Sequence, residues 1–389
     1  MLLATKIRLK PTKEQEELFF KSCGVARWAY NYFLNQSELH YNEYLNGNRD
    51  TKTLKELEVR KEITQLKKTT AYSWLNEVGS NVIKQAIKDA DIAKKRFLSG
   101  TSSYPKYKSK KFSTPSFYVN YESLKRTKEG FKGEKLGIVK TCQSLPKLKK
   151  HEKYSNPRIT YDGKYWYLSI GYNVEFESVE LTDESLGIDL GIKDLAICSN
   201  GIVYKNINKT KEVKRLEKKL KREQRKLSRK INNNIESYNN KKPVYKKPLE
   251  KMKNIQKQKN KVKMIHKRLS NIRNNYIHQV TSEIVKTKPF RIVIEDLNVK
   301  GMMKNKHLSK AIQQQCFYEF RRQLEYKCKK YGIELVIVDR FYPSSKTCSG
   351  CGHIKKDLKL SDRTYICEEC GLVIDRDLNA SINLANYQI

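Results

Sequence analysis

Three carboxylates and four cysteines stand out by their surroundings in this 389-residue chain. Asp189 closes the apolar run Leu186-Gly-Ile-Asp189 and sits between Gly187 and Gly191. Glu295 closes a second apolar run, Phe290-Arg-Ile-Val-Ile-Glu295. Asp377 stands where a helix should begin, with Leu378, Ile382 and Ala385 on one face. Open α/β sheets collect ligands at the carboxyl ends of their strands, so the first two are suited to a common site. With Asp377 they would form an oxygen-rich pocket for hard cations, Mg²⁺ or Mn²⁺, and for phosphoryl chemistry. Two such ions about 4 Å apart clamp the attacking water and the leaving oxygen of a phosphodiester. Each carboxylate also has a plainer reading: Asp189 as a turn cap, Glu295 as a lysine's partner, Asp377 as an N-cap. Asp296 and Asp375 are adjacent rivals, although strand alternation turns Asp296 away from Glu295.

The cysteines are Cys348-Ser-Gly-Cys351 and Cys367-Glu-Glu-Cys370, each pair followed by a glycine. Paired Cys-x-x-Cys turns at this spacing are a strong zinc signal, and a glycine permits the positive-φ turn that folds a knuckle. Four thiolates saturate a tetrahedral ion, so this zinc is structural and the chemistry lies with the carboxylates.

The bulk composition names the partner class. Lys and Arg number 80 against 42 Asp and Glu, a net charge of +38. That excess exceeds what solubility requires and suits a polyanion, most simply nucleic acid. No apolar run approaches spanning length, and Met1-Leu-Leu-Ala-Thr-Lys lacks a signal-peptide layout, so no membrane partner is expected. Cys23, Cys142, Cys198, Cys316 and Cys328 are isolated and read as reduced thiols in a cytoplasmic protein.

Several elements must position these groups. Ala4–Lys10 reads as a strand, and Pro11-Thr12-Lys-Glu-Gln15 as a helix start with Thr12 as N-cap and Gln15 completing a capping box. Apolar spacing predicts helices over Thr53–Lys67 and Ser80–Leu98. Composition changes at Gly100. The basic, tyrosine-rich stretch Ser102–Phe112 suits phosphate contact with base stacking, or equally a solvated linker. From there to Val179 the pattern is β, clearest in Arg158–Ile170 around the Asp162-Gly163 turn. Leu186–Gly191 and a hairpin through Asn200-Gly201 follow. A long basic region, Thr210 to Lys286, has the three-four apolar spacing of an antiparallel helical hairpin, broken at Asn232–Asn234 and Pro243–Pro248. After the strand ending at Glu295 come a helix over Ser309–Lys329, a strand over Glu334–Asp339, the cysteine knuckles and a last helix from Asp377 to about Ala385.

The wording of these segments resembles the TnpB family, transposon-encoded proteins related to type V CRISPR effectors. Gly187-Ile-Asp-Leu-Gly-Ile-Lys-Asp-Leu-Ala196, Ile294-Glu-Asp-Leu-Asn298 and Asp375-Arg-Asp-Leu-Asn-Ala380 are similar to its split RuvC-like nuclease motifs. The Cys-x-x-Cys pairs match its zinc-ribbon insertion. Lys10-Pro-Thr-Lys-Glu-Gln15 and Gly24–Asn31 resemble its N-terminal helical region, and Asp162–Tyr167 its β-barrel segment. The resemblance runs from Lys6 to Leu384 in the family's order. Ser381, where many members have alanine, departs from the pattern without an expected consequence.

The resemblance implies an α/β protein with small all-β and helical parts. Residues 1–11 and 100–180 would form a β-barrel wedge domain, and 12–99 a helical recognition insertion. Residues 181–340 and 371–389 would form an RNase H-like (RuvC) nuclease domain carrying the basic hairpin 210–286, with a zinc-ribbon insertion at 341–370. It further implies catalytic and metal-ligating roles for Asp189, Glu295 and Asp377 around two Mg²⁺ (or Mn²⁺), and one Zn²⁺ held by Cys348, Cys351, Cys367 and Cys370. The partners implied are a guide RNA from the transposon end and double-stranded target DNA cut beside a short adjacent motif, one monomer per ribonucleoprotein. Such a protein would be prokaryotic and associated with the nucleoid. A DNA-strand transposase using the same acids and a non-catalytic RNA-guided regulator are the competing readings. The three filled acidic positions argue against the second, and the lack of a separate end-reading module against the first.

Overall fold

Strand β1 (Leu2–Lys10) alternates exposed residues with inward ones, burying Ile7 and Leu9. In a computed structural model that describes residues 1–176, 179–240, 242–359 and 362–388, with the side chain of 250 left out, the chain divides into two units, Met1–Val174 and Glu175–Ile389. The far end of the predicted β region, at 177–178, lies outside the described residues.

In the first unit β1 leads into α1 (Lys13–Leu45) through the expected capping box. The Gln15 amide donates to Thr12 Oγ1 at 3.2 Å and the Thr12 amide to Gln15 Oε1 at 3.1 Å, satisfying two of the helix's orphan donors. Helices α2 (Glu56–Leu66) and α3 (Ser80–Leu98) follow. Then come β2 (Ser116–Tyr118), β3 (Lys125–Arg126), β4 (Gly130–Gly133), β5 (Gly137–Thr141), β6 (Ser155–Tyr161) and β7 (Trp166–Asn173). The strands form one antiparallel sheet in the order β2-β6-β7-β1-β5-β4-β3. Helix α1 packs on it through Phe19, whose ring meets Trp166 edge-on at 5.0 Å.

The basic, tyrosine-rich stretch is anchored along α1. The Tyr104 and Tyr107 hydroxyls both donate to Glu38, at 3.0 and 2.9 Å. The Lys108 backbone exchanges two 2.8 Å hydrogen bonds with Asn31, and its ammonium lies 3.6 Å from the Tyr30 ring centre. The stretch is irregular and largely exposed, as a solvated linker would be, but its tyrosines are tethered by their tips with their rings partly exposed.

The second unit is built on a five-stranded sheet. Its strands are β8 (Thr182–Leu190), β9 (Asp194–Cys198), β10 (Val203–Lys205), β13 (Pro289–Glu295) and β14 (Glu334–Val338), in the order β10-β9-β8-β13-β14. β8, β13 and β14 are parallel, while β9 and β10 run antiparallel. The crossover from β8 to β13 carries the basic hairpin, α4 (Lys211–Asn232) and α5 (Lys253–Lys286). The two arms pack through Val213, Leu216, Ile265 and Leu269. Where the sequence suggests only a break, a two-stranded ribbon closes the far end, β11 (Ile235–Asn239) with β12 (Lys242–Tyr245).

After β13, α6 (Val299–Met302), α7 (Ser309–Gln315) and α8 (Phe317–Tyr331) lead to β14. The single helix predicted over Ser309–Lys329 is two, because Cys316 adopts the left-handed conformation (φ 54°, ψ 43°) and breaks the ladder. Strands β15 (Thr364–Ile366) and β16 (Val373–Asp375) pair antiparallel, and α9 (Arg376–Ala385) ends the described structure. Among the described residues no helix is long and apolar enough to cross a membrane.

Candidate active site and metal centre

Register brings two of the candidate carboxylates together. Ile294 of β13 lies opposite Ile188 of β8 in parallel pairing, so Glu295 and Asp189 leave the same edge of adjacent strands. The third arrives on α9, which lies against β8 with almost nothing between them. A Cβ on Gly187 would fall 1.9 Å from Ser381 O and 2.4 Å from Ala385 N. Only glycine admits a helix that close to the strand. The far end of α9 is tied down as well: the Ala385 carbonyl accepts from Ser185 Oγ at 2.7 Å and from Arg291 Nη2 at 3.1 Å.

The electrostatics register this convergence. Burial, then Glu295, then Asp377, push the Asp189 carboxyl from 3.8 up to about 8, against a smaller opposing pull from Arg376. A half-buried acid facing two other acids favours its neutral form unless a cation joins it. The three carboxylates nevertheless do not all crowd within 4.8 Å of one another; among the described residues only the cysteines do so. Two of the acids are held by neighbours. Glu295 accepts a short hydrogen bond from the buried Ser344 hydroxyl. Asp377 lies 3.2 Å from Arg376 Nη2 and 3.8 Å from Arg363 Nη1. Oxygen donors spread around a buried negative centre fit hard cations that bridge them.

The rivals are occupied elsewhere. Asp375, not Asp377, is the N-cap of α9: its carboxylate accepts from the Asp377 and Leu378 amides at 3.0 and 3.1 Å. The N-cap reading of Asp377 is thereby corrected: its carboxylate is left to Arg376 and Arg363 and lies near enough to Asp189 to raise that carboxyl. Asp296 is bound by Arg340 at 2.6 Å and Arg321 at 3.0 Å, and these guanidiniums hold it below the usual carboxylate range. Ser381 is buried, and its hydroxyl is satisfied by the Leu378 carbonyl at 2.8 Å.

Cys348, Cys351, Cys367 and Cys370 bring their sulfurs within 4.8 Å of one another. Two of the separations, Cys348–Cys370 and Cys351–Cys367, are 3.6 Å. A tetrahedron with Zn–S of about 2.3 Å has edges of about 3.8 Å, so the four fit one zinc ion. Gly352 and Gly371 take positive φ, 79° and 70°, as the knuckles require. Backbone N–H groups of Cys370 and Glu369 hold the Cys367 thiol down to about 6.

The cysteine centre is lashed to α9. Asn379 Nδ2 donates to Thr347 O at 2.7 Å, while its Oδ1 accepts from the Ser349 amide at 2.9 Å. Asn383 Nδ2 donates to Ser344 O at 2.7 Å and to Thr347 O at 2.6 Å. Sequence reasoning missed Ser344, Asn379 and Asn383. A faint signal existed in their proximity to Cys348 and Asp377, but only the fold makes them partners.

Comparison with known proteins identifies relatives of this chain. The family described as "Cas12f1-like, TNB domain" matches residues 317–384, and "Probable transposase" matches 169–306. A third, described as a helix-turn-helix domain, matches 1–47, where the structure has β1 followed by the uninterrupted α1. A TnpB-like protein of Acanthamoeba polyphaga mimivirus, L770, is 27% identical over 97% of this chain and 72% of its own length. A Streptomyces pristinaespiralis protein named "Putative RNA-guided DNA endonuclease" is 30% identical over 98% of this chain and 88% of its own. The chain belongs to the TnpB family. Its fold is that of the type V effectors: a Cas12f1 chain, solved with its guide RNA and target DNA, superposes with a TM-score of 0.58 over 99% of both chains, at 16% identity. In this TnpB chain the TNB match takes in all four cysteines and α9 up to Leu384, so the cysteine cluster and Asp377 fall within one recognised segment.

Proposed function

We propose that this protein is a transposon's RNA-guided DNA endonuclease, cutting double-stranded DNA beside a short adjacent motif by two-metal-ion hydrolysis at Asp189, Glu295 and Asp377. The observation that carries this reading is the convergence of three acids from β8, β13 and α9; burial first, and then Glu295 and Asp377, lift the Asp189 carboxyl to about 8. The strand order β10-β9-β8-β13-β14, with one antiparallel hairpin preceding the parallel strands, supports an RNase H-like nuclease domain. The first unit's sheet and helices would then be the wedge and recognition parts, and the Cys348–Cys370 region a zinc ribbon that contacts target nucleic acid.

Bound Mg²⁺ or Mn²⁺ would activate the attacking water and stabilise the leaving oxygen. Asp189 anchors the centre from the buried strand end. Glu295 is oriented by Ser344, and Asp377 by the start of α9. Guide RNA pairing would supply sequence recognition, while the protein reads the adjacent motif and heteroduplex shape. The decisive experiment is to sequence the RNA that copurifies with the protein, then offer the complex a plasmid matching it in Mg²⁺. Sequence-specific cutting by RNA-free protein would overturn the guided mechanism, and binding without cutting would favour a regulator.

The hydrogen bond from Ser344 makes a separate prediction. Removing a partner that orients a metal-binding carboxylate costs about 10–100-fold in metal affinity or activity. Ser344→Ala therefore raises the Mg²⁺ concentration for half-maximal cleavage by about that factor, and Ser344→Thr largely restores it. A titration of cleavage rate against Mg²⁺ checks this, and equal curves for Ala and wild type would remove Ser344 from the site.

The basic hairpin gives another. Arg215, Lys218, Lys219, Arg222 and Arg268 line a groove of about 540 Å³. Arg268 there pairs with Glu212 at 3.0 Å and Arg222 more loosely with the buried Glu223 at 3.9 Å, so cations outnumber their carboxylate partners. Such a face suits phosphates, each contributing about −0.7 to −0.9 to the log–log salt slope. Neutralising Lys218, Lys219, Lys221 and Arg222 together is expected to flatten the slope for RNA by up to about 3 units. Filter binding across a salt series measures it, and an unchanged slope would make the hairpin a spacer.

A further inference from the structure

Strand β8 runs out at a glycine two residues beyond Asp189. The Gly191 amide makes a last, long rung to β9, donating to Leu195 O at 3.3 Å. The carbonyls of the turn that follows are then held by side chains. Gln315 Nε2 donates to Gly191 O at 2.7 Å and more loosely to Ile192 O at 3.3 Å. Asn206 Nδ2 donates to Ile192 O at 2.8 Å. Both side chains are buried. A glycine backbone is permissive, so whatever grips Gly191 decides how firmly the strand end is aimed.

Gln315 is itself held in place. It is the last residue of α7, and the left-handed Cys316 turns the chain after it into α8. A non-glycine residue in that conformation costs energy and persists only where its surroundings hold it, often at functional sites. Asn208 Nδ2 donates to Gln314 O at 3.1 Å, and Asn208 Oδ1 accepts from Arg273 Nε of α5 at 2.7 Å. Glu217 of α4 accepts from Arg273, Lys310 and Gln314. A continuous run of polar contacts thus leads from the basic hairpin through α7 to the turn beside Asp189.

We infer that Gln315 is a positioning residue of the nuclease centre: through the Gly191 carbonyl it fixes the turn after β8, and with it the aim of the Asp189 carboxylate at the bound metal. The inference rests on the endonuclease reading given above and deepens it. A functional constellation works only when its groups are held within about 0.5 Å of their productive places. Helix α9 sets one face of β8 by its close approach at Gly187. Leu186 and Ile188 pack in the core that holds Phe320 and Leu324 of α8. Neither contact restrains the strand's open end, and the Gln315 amide does. The role belongs to the donor and not to the bulk of the side chain, because a buried carbonyl robbed of its donor moves to find another.

The test uses the full chain with its copurified RNA and two variants, Gln315→Met and Gln315→Glu. Methionine keeps the length and volume of the side chain without a donor, and ionised glutamate offers the two carbonyls only acceptors. Two metal titrations are run on each protein. One follows cleavage of matched plasmid against Mg²⁺. The other replaces Mg²⁺ by Fe²⁺ with ascorbate and peroxide and follows scission of the polypeptide beside Asp189, which reports the bound ion independently of DNA cutting. Both midpoints are expected to rise on the order of tenfold in Gln315→Met, the lower end for groups that orient a metal ligand from outside, and at least as far in Gln315→Glu. Saturating Mg²⁺ restores most of kcat, while KM for DNA and the affinity for RNA stay near wild type, a split that general loss of structure would not produce. Wild-type midpoints in the Met variant would reduce Gln315 to packing and overturn the proposal, as would a loss that saturating metal does not relieve. A wild-type complex that shows iron scission but cuts no matched DNA would overturn the endonuclease reading alone, and the iron midpoints would still decide Gln315. Absence of scission beside Asp189 in the wild type would overturn both.

Discussion

Asp189→Ala, Glu295→Ala or Asp377→Ala is expected to lower DNA cleavage by about 10³-fold or more while leaving RNA and DNA binding largely intact. Charge stabilisation by a bound metal is worth several kcal/mol, and each 1.36 kcal/mol is tenfold in rate. The three side chains come from separate elements, so truncating one removes a ligand without dismantling a helix or strand. Plasmid cleavage in Mg²⁺ beside a gel-shift assay measures both quantities, and full activity in any variant would strike that residue from the site. Asp189→Asn carries a second signature. The Asp189 carboxyl is raised from 3.8 to about 8, so the folded, metal-free protein holds this proton more tightly than the unfolded chain. Its contribution to stability is fully present below about pH 4 and drains away as pH rises toward 8. The Asn variant, which has no proton to lose, should therefore melt higher than metal-free wild type at pH 8 and about equally at pH 4. Each kcal/mol recovered is worth on the order of 2–4 °C. Saturating Mn²⁺ should close the gap at pH 8 by stabilising only the wild type.

Loss of zinc has the next largest expected effect. One Zn²⁺ per chain is expected in the wild type and none in a Cys367→Ser/Cys370→Ser double variant, as metal analysis would read. Structural zinc contributes roughly 10–16 kcal/mol in small zinc domains, far more than the short β15–β16 ribbon can supply by itself. Its removal releases Ser344, Thr347 and Ser349, the residues that Asn379 and Asn383 of α9 hold. The variant should lose cleavage even in excess Mg²⁺, because Glu295 loses its orienting hydroxyl and α9 its lashings. Zinc retained in the double variant would refute the four-cysteine site. Full cleavage without zinc would refute the mechanical link.

Much of the candidate site was legible in the sequence because it depends on short-range pattern. The apolar runs ending at Asp189 and Glu295 announce buried strands, and Cys-x-x-Cys followed by glycine announces a knuckle. The capping box at Thr12 and Gln15 is equally local, and the structure forms both of its hydrogen bonds. What escaped depends on contacts across the chain or on one backbone angle. Asp375 and Asp377 are both competent caps on paper, and only the extended backbone of Asp375 (φ −58°, ψ 131°) decides between them. Apolar spacing runs through Cys316 undisturbed, so the break between α7 and α8 leaves no periodic trace. Ser344 is an ordinary loop serine until β13 and the cysteine loop meet. The tyrosines at 104 and 107 read as free stacking rings because Glu38, their partner, lies more than sixty residues away.

Gly187 separates composition from alignment in this centre. A methyl group there would act as a wedge under α9, forced against Ser381 O and Ala385 N, and relief comes only by tilting or lifting the helix that carries Asp377. Every carboxylate, cysteine and lysine would remain, and so would the charge seen by a distant polyanion. The acids would simply no longer aim at one point. Alanine at this position is therefore the substitution that distinguishes a centre working by its inventory of negative charge from one working by their bearing on a shared focus.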